Sequence, residues 1–193
     1  MTDRREQILD EWLVLRCRDG SHEAFRELVR RWHPRLLGYA RRLTGQEDAA
    51  ADVMQEVWMA VARSIGKLLD VSSLRQWLFR IVTRRSADCQ RRRGIEEARF
   101  APVAGDAAGE IETTCSDGVN PLDRLNREEA VVRIREGLHR LPRDRQALLW
   151  LHFVEEFSAV ELAEILGIPR GTVKSRLHHT SVELRRYLER IES

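Results

Sequence analysis

The chain has 193 residues, 42% hydrophobic and 33% charged, with 6% aromatic, 11 Gly and 5 Pro. That length holds one large domain or two small ones with real cores, and the composition excludes collagen-like and sandwich classes in favour of a mostly helical one. The net charge of +2 hides a split: residues 1–93 carry 19 basic against 13 acidic groups, residues 94–123 one against seven, and residues 124–193 a basic surplus of two. Two basic ends around an acidic middle matter more than the total or the pI.

Only Lys67 and Lys174 are lysines among the 33 basic residues. A preference for Arg suits phosphate or carboxylate partners, but the codons of a GC-rich genome are the stronger explanation of it. Cys17, Cys89 and Cys115 lack CxxC spacing, which argues against a disulfide framework or zinc site. No apolar run approaches ~18 residues and no signal peptide opens the chain, so a cytoplasmic protein without membrane insertion is expected. No Ser/His/Asp set, phosphate-binding glycine loop or metal cluster is visible. The expectation is therefore a non-enzyme with no metal and no cofactor.

In chain order, Arg4 to Arg16 reads as a short amphipathic helix on Ile8, Trp12 and Leu15. "RDGS" breaks it and Ser21 can cap the next helix. That one runs through Phe25, Leu28, Val29 and Trp32. Pro34 should kink or divide it before it resumes through Leu36, Leu37 and Tyr39, with Gly45 in the C′ role. "QEDAAADVMQEVWMAVARSI" follows, with acids in the first turn to suit the helix dipole. Val53, Val57, Val61 and Ile65 recur every four residues and mark its buried face, while Asp52, Gln55, Glu56, Met59 and Arg63 lie opposite.

The loop "GKLLDVSS" leads to "LRQWLFRIVTRRSADCQRRR", whose core stripe is Leu74, Leu78, Ile81, Val82 and Cys89. Arg80, Arg84 and Arg91 project from that stripe, and Arg85 and Arg92 fall near it, so they must snorkel or the core must end before them. From Arg80 to Arg93 six arginines face one acid, Asp88. Solvated helices interleave acids for i,i+4 support; this one does not, which favours a nucleic-acid backbone as partner.

Periodicity disappears from Gly94 to about Asn120, where "APVAGDAAGEIETTCSDGVNP" reads as a flexible acidic linker. Asn120–Pro121 should start a helix through Leu125, Val131, Val132, Ile134 and Leu138. "LPRDRQ" starts another, with Pro142 near its first position and Leu148, Leu149, Leu151 and Phe153 behind it. The expected fold class is all-α, two small helical domains joined by that linker.

"SAVE", Ser158 to Glu161, is a capping box ahead of Leu162, Ile165 and Leu166. Gly167 stops that short helix, Ile168 plugs the turn and Pro169 starts a longer one, the layout of a DNA-binding helix-turn-helix. In the second helix Val173, Leu177, Thr180 and Leu184 share one side. Opposite lie Gly171, Thr172, Ser175, His178 and His179, flanked by Arg170, Lys174 and Arg176. Small and polar groups in front reach base edges, and flanking cations hold phosphates. The adjacent histidines diverge by ~100° on a helix, which sets aside a metal site.

At this point the chain resembles a known family. "LPRDRQALLWLHFVEEFSAVELAEILGIPRGTVKSRLHHTSVELRRYL" is similar to the C-terminal domain of the extracytoplasmic-function (ECF) sigma factors of bacterial RNA polymerase. "EAFRELVRRWHPRLLGYARRLTGQEDAAADVMQEVWMAV" and "WLFRIVTRRSADCQRRR" resemble their N-terminal domain. The resemblance implies an N-terminal extension at 1–19, a polymerase-binding and −10-reading domain at 20–94, an acidic linker at 95–121 and a −35-reading domain at 122–193. It implies polymerase docking through Asp52, Gln55, Glu56, Met59 and Arg63. It implies reading of the melted −10 strand by Lys67, Asp70, Ser72, Trp77, Arg80, Arg84, Arg85, Arg91 and Arg92. The −35 duplex falls to Arg170, Thr172, Lys174, Ser175, Arg176, His178 and His179.

The implied partners are core RNA polymerase (its clamp coiled coil and flap), promoter DNA and an anti-sigma factor. Three positions depart from the family: "LLDVSS" replaces a Gly/Arg loop, Arg84 replaces an Asn, and His179 replaces an Arg. The first two stand where the −10 bases are read, so the promoter sequence cannot be borrowed from relatives, and the third changes one −35 contact. The competing reading is a free-standing helix-turn-helix regulator with an N-terminal sensory or dimerisation domain. Six arginines remote from the DNA-reading unit have no purpose in such a sensor.

Overall fold

The computed structural model describes residues 4–99 and 133–191, with the side chains of 95–99 and 191 outside the description. The described residues are helical throughout, with no strand among them: α1 (Arg4–Arg18), α2 (His22–Thr44), α3 (Glu47–Ser64), 3₁₀ turns at Ile65–Lys67 and Val71–Ser73, and α4 (Leu74–Arg99). Then come α5 (133–139), α6 (Arg143–Phe153), α7 (Ala159–Leu166) and α8 (Arg170–Ile191). α4 runs to Arg99, five residues into the span expected to be linker; the rest of that span, the helix start at Asn120–Pro121 and Cys115 lie outside the described residues.

The N-terminal half is built on α2, α3 and α4, which pack pairwise, with α1 against α2. Val53, Val57, Val61 and Ile65 are buried as their spacing requires, and each branched side chain removed from water contributes about 1.5–3 kcal/mol before entropy is charged. Ser21 caps α2 by accepting from the Ala24 amide. Gly45 ends it in the left-handed region at φ 68° and returns its amide to Arg41. A Cβ on Gly45 would also collide with the Arg143 guanidinium, so two constraints meet at this glycine.

Two readings are corrected here. Pro34 does not divide α2, one of the two outcomes expected of it, and the helix runs from His22 to Thr44. Proline forfeits only one ladder bond, and Trp32 and Leu36 on either side are buried in the core, so packing holds the helix across it. The second failure is α1, which is turned over. Its buried residues are Asp10, Leu13 and Val14, with Cys17 half-buried against the core, whereas Ile8 (58%), Trp12 (53%) and Leu15 (47%) stay exposed. The inward stripe has the same i, i+3, i+4, i+7 spacing but includes an acid. Asp10 is tolerated because Arg31 donates to it at 3.0 Å; burial nonetheless pushes its carboxyl above the ordinary value.

In the C-terminal half α6, α7 and α8 pack on one another. Gly137 of α5 admits Leu184 and Tyr187 of α8 to where a Cβ would stand. Leu148, Leu149 and Leu151 are buried as expected, but Phe153 is 66% exposed and Phe157, after the α6–α7 turn, takes the core position instead. Pro142 sits just before α6 as its cap residue. Helix α6 also packs on α2 and α7 on α4, so a single apolar cluster runs through both halves.

Candidate nucleic-acid interface

The C-terminal unit has the helix-turn-helix geometry in detail. Ser158 accepts from the Glu161 amide at 3.3 Å and Glu161 returns the bond to the Ser158 amide at 2.8 Å. Gly167 closes α7 at φ 67°, and Ile168 donates its amide to the Ala163 carbonyl, which fixes the turn. Ser158→Ala removes half of this box and should cost about 1 kcal/mol, read as a lowered denaturation midpoint by circular dichroism; an unchanged midpoint would mean the box is idle.

Val173 and Thr180 anchor α8, fully buried, with Leu177 and Leu184 half-buried beside them. Thr180 satisfies its hydroxyl on the Arg176 carbonyl at 2.6 Å. Gly171, Ser175, His178 and His179 are exposed, Thr172 is half-exposed, and Arg170, Lys174 and Arg176 are exposed around them. None of these three cations forms an ion pair with a described residue. The two histidine rings stand 5.7 Å apart, and among the described residues no cluster of three or more ligating groups could hold a metal.

In the N-terminal half Asp52, Gln55, Met59 and Arg63 form an exposed face of α3. Glu56 of the same face reaches sideways to α4, accepting from Arg92 at 2.6 Å and lying 4.0 Å from Arg85. This corrects the account of the arginine helix. Part of its missing counter-charge comes from α3, a partner 36 positions away in sequence, and Arg91 and Arg85 share Asp88. Arg80, half-exposed, and Arg84, exposed, make no ion pair with a described residue, and Arg93 donates only to the Gln46 amide oxygen.

The loop before α4 is compact rather than free. Leu68 is buried as its anchor and Leu69 is 96% exposed. Asp70 accepts from the Ser72 amide (3.0 Å) and hydroxyl (2.7 Å), capping the second 3₁₀ turn. Two residues nominated as base readers are therefore bound to each other. Trp77 is half-buried against the core, and Lys67 is exposed. Sequence reasoning missed Arg75 and Gln76, which begin α4 beside this loop and reach into the C-terminal half.

Family comparison decides what these surfaces belong to. Residues 28–95 match the model for Sigma-70 region 2 and residues 132–184 that for Sigma-70, region 4. The chain is 30% identical over 173 residues to the ECF RNA polymerase sigma-E factor of Haemophilus influenzae, covering 89% of this chain and 91% of that one. The chain belongs to the ECF sigma factors. It is also 28% identical to the ECF sigma factor SigW of Bacillus subtilis over 91% of this chain and 94% of that one. With SigL of Mycobacterium tuberculosis it shares 34% identity over 81% and 84%.

Two solved structures share the fold. The sigma factor RpoE of Bartonella quintana, solved with the anti-sigma factor NepR, aligns at TM-score 0.66 and 23% identity, over 86% of this chain and 96% of that one. CnrH, solved with the cytosolic domain of CnrY, aligns at 0.61 and 22%, over 94% and 97%. As an alternative sigma factor the protein directs promoter-specific transcription with core RNA polymerase, and the free-standing regulator reading is set aside: region 2 stands where a sensory domain would have to be.

Proposed function

We propose that this sigma factor divides its work as the sequence suggested. Residues 20–94 bind polymerase and read the melted −10 strand, 122–193 read the −35 duplex, 95–121 link them and 1–19 form an extension. The observation that carries the division is the distribution of unpaired cations. Arg80 and Arg84 on α4, and Arg170, Lys174 and Arg176 on α8, have no acid to satisfy them among the described residues, as phosphate-binding groups require.

The polymerase contact is assigned to Asp52, Gln55, Met59 and Arg63, with Glu56 at its edge. An exposed Met within a polar face supplies a small apolar anchor amid groups that fix register. Lys67, Asp70, Ser72, Trp77, Arg85, Arg91 and Arg92 complete the −10 assignment. For Asp70 and Ser72 the part played is to hold the loop's shape, and Arg85 and Arg92 hold α4 on Glu56. Thr172, Ser175, His178 and His179 are the base-edge readers on α8. The protein acts as a specificity subunit rather than an enzyme. No helix of the described residues is long and apolar enough to cross a membrane, which fits work in the cytoplasm.

Gel filtration of a mixture with core RNA polymerase, followed by transcription on the protein's own upstream region, tests this. Co-elution and a new start site are expected. Gln55→Ala with Met59→Ala should weaken apparent affinity about 10-fold or more, and unchanged co-elution of the double variant would remove α3 from the contact. An anti-sigma partner is proposed on the same footing. A protein that co-purifies before induction should suppress the reconstituted reaction, and reconstituted activity indifferent to every co-purifying protein would count against it.

A further inference from the structure

We propose that the outward face of α1 is a further contact for single-stranded promoter DNA, taking the nucleotides that follow the −10 bases on the melted strand. The inference rests on the assignment of −10 reading to the loop before α4 and to α4 itself. Helix α1 lies against both 3₁₀ turns of that loop. The Arg18 guanidinium donates to the Leu69 carbonyl at 3.4 Å, which ties the end of the helix to the loop's tip. Trp12 stands less than two turns before that tie with 53% of its surface in solvent, and Leu69 is 96% exposed. The Arg16 guanidinium lies 5.9 Å from the centre of the Trp12 ring.

Local charge selects a polyanion. Arg16, Arg18 and Lys67 are exposed, and none of them forms an ion pair with a described residue. The acids nearest the stripe are engaged: Asp10 is buried on Arg31, and Glu11 accepts from Gln7 at 3.0 Å. That leaves Asp19 beside three cations at this end of the helix. A second copy of the chain would set these cations against its own, and an uncharged apolar partner would leave them without a counter-charge. An indole with a guanidinium alongside stacks a base while neighbouring cations meet phosphates, which is how single strands are held without regard to sequence.

The fold makes a concession to keep this face outside. Two stripes of α1 fit a helical repeat, and the buried one includes Asp10, whose desolvation the Arg31 bond must offset. Ile8, Trp12 and Leu15 meanwhile stay in water, although apolar burial alone favours the stripe without the acid. Ile8 to Leu15 covers ~10 Å of helix axis, room for about three bases at ~3.4 Å per step. Ile8 and Leu15 thus floor the strand on either side of the Trp12 platform.

Anisotropy titrations of reconstituted holoenzyme test this with two labelled single strands from the protein's own upstream region. One ends at the −10 bases, and the other carries about six further nucleotides toward the start site. The wild type should bind the longer strand about 10-fold more tightly. Trp12→Ala, at an exposed position, should keep wild-type helicity and lose most of that difference, and Trp12→Phe should recover most of it. Arg16→Ala should lower the salt slope for the longer strand by about 0.7, the single-strand value for one phosphate, and leave that of the shorter strand as it is. Equal binding of both strands by the wild type, or a Trp12→Ala chain that keeps the full preference, overturns the proposal while −10 reading stands. A wild type that binds neither strand overturns both. If Trp12→Ala keeps the strand preference but weakens co-elution with core polymerase, the face belongs to the polymerase and the proposal is wrong.

Discussion

Phe79→Ala is expected to destabilise the chain by about 3–5 kcal/mol, the range for removing a buried phenyl ring whose cavity cannot collapse. Phe79 is fully buried and, among the described residues, is the one ring that touches three others: Tyr39 at 5.4 Å, Trp150 at 5.9 Å and Phe157 at 5.3 Å. Two of these belong to the opposite half, so the cavity would open at the seam as well as in the N-terminal core. Tyr39 beside it is fixed by a 2.9 Å hydrogen bond to Thr83, and burial pushes its phenol well above the ordinary range. It is therefore poorly placed to fill the space. For a chain of this size the loss corresponds to roughly 8–15 °C in Tm. Calorimetry should show one cooperative transition in the wild type and two in the variant as the halves unfold separately. A single transition lowered by less than about 3 °C would mean that the seam carries little of the stability.

The core stripe read from the sequence of α4 left Phe79 out, and the reason is general. Periodicity states which face of an element is buried, and that sufficed where one neighbour was in question: the valines of α3 and the anchoring side of α8. Local chemistry was equally legible. The capping box of Ser158 and Glu161 and the left-handed Gly45 and Gly167 depend on residues within four or five positions. What was not legible is pairing at long range. Arg35 and Glu155 are 120 positions apart, and nothing in either segment names the other.

Helix α1 shows a second limit. Both of its stripes fit a helical repeat, and the one containing Asp10 faces inward because Arg31 on α2 receives the acid, a compensation that only the fold reveals. The arginines of α4 show a third. Counting acids along one helix overstated the unmet charge, since Glu56 on α3 supplies part of it.

Removing the three flanking cations of α8 together, Arg170→Ala, Lys174→Ala and Arg176→Ala, is expected to weaken holoenzyme binding to a −35 duplex on the order of 10³-fold, taking ~1.5 kcal/mol for each charged contact. The three are exposed and unpaired with any described residue, so the change leaves no buried partner unsatisfied. Phosphate contacts release counterions, and each one lost should lower the slope of log K against log salt by about 0.9. The triple variant should therefore lose up to about 3 from that slope, uniformly across promoter sequences.

Ser175→Ala with His178→Ala is the contrasting pair. These side chains stand on the exposed front of the same helix, where base edges rather than phosphates would be met. They should leave the salt slope unchanged and shift discrimination at individual base pairs by about 1–3 kcal/mol. Anisotropy titrations over a salt series, on the protein's own upstream duplex and on single-base variants of it, separate the two outcomes. If the triple variant keeps the full slope while Arg80→Ala with Arg84→Ala loses it, the duplex is gripped by α4 and the assignment of the −35 element to α8 is wrong.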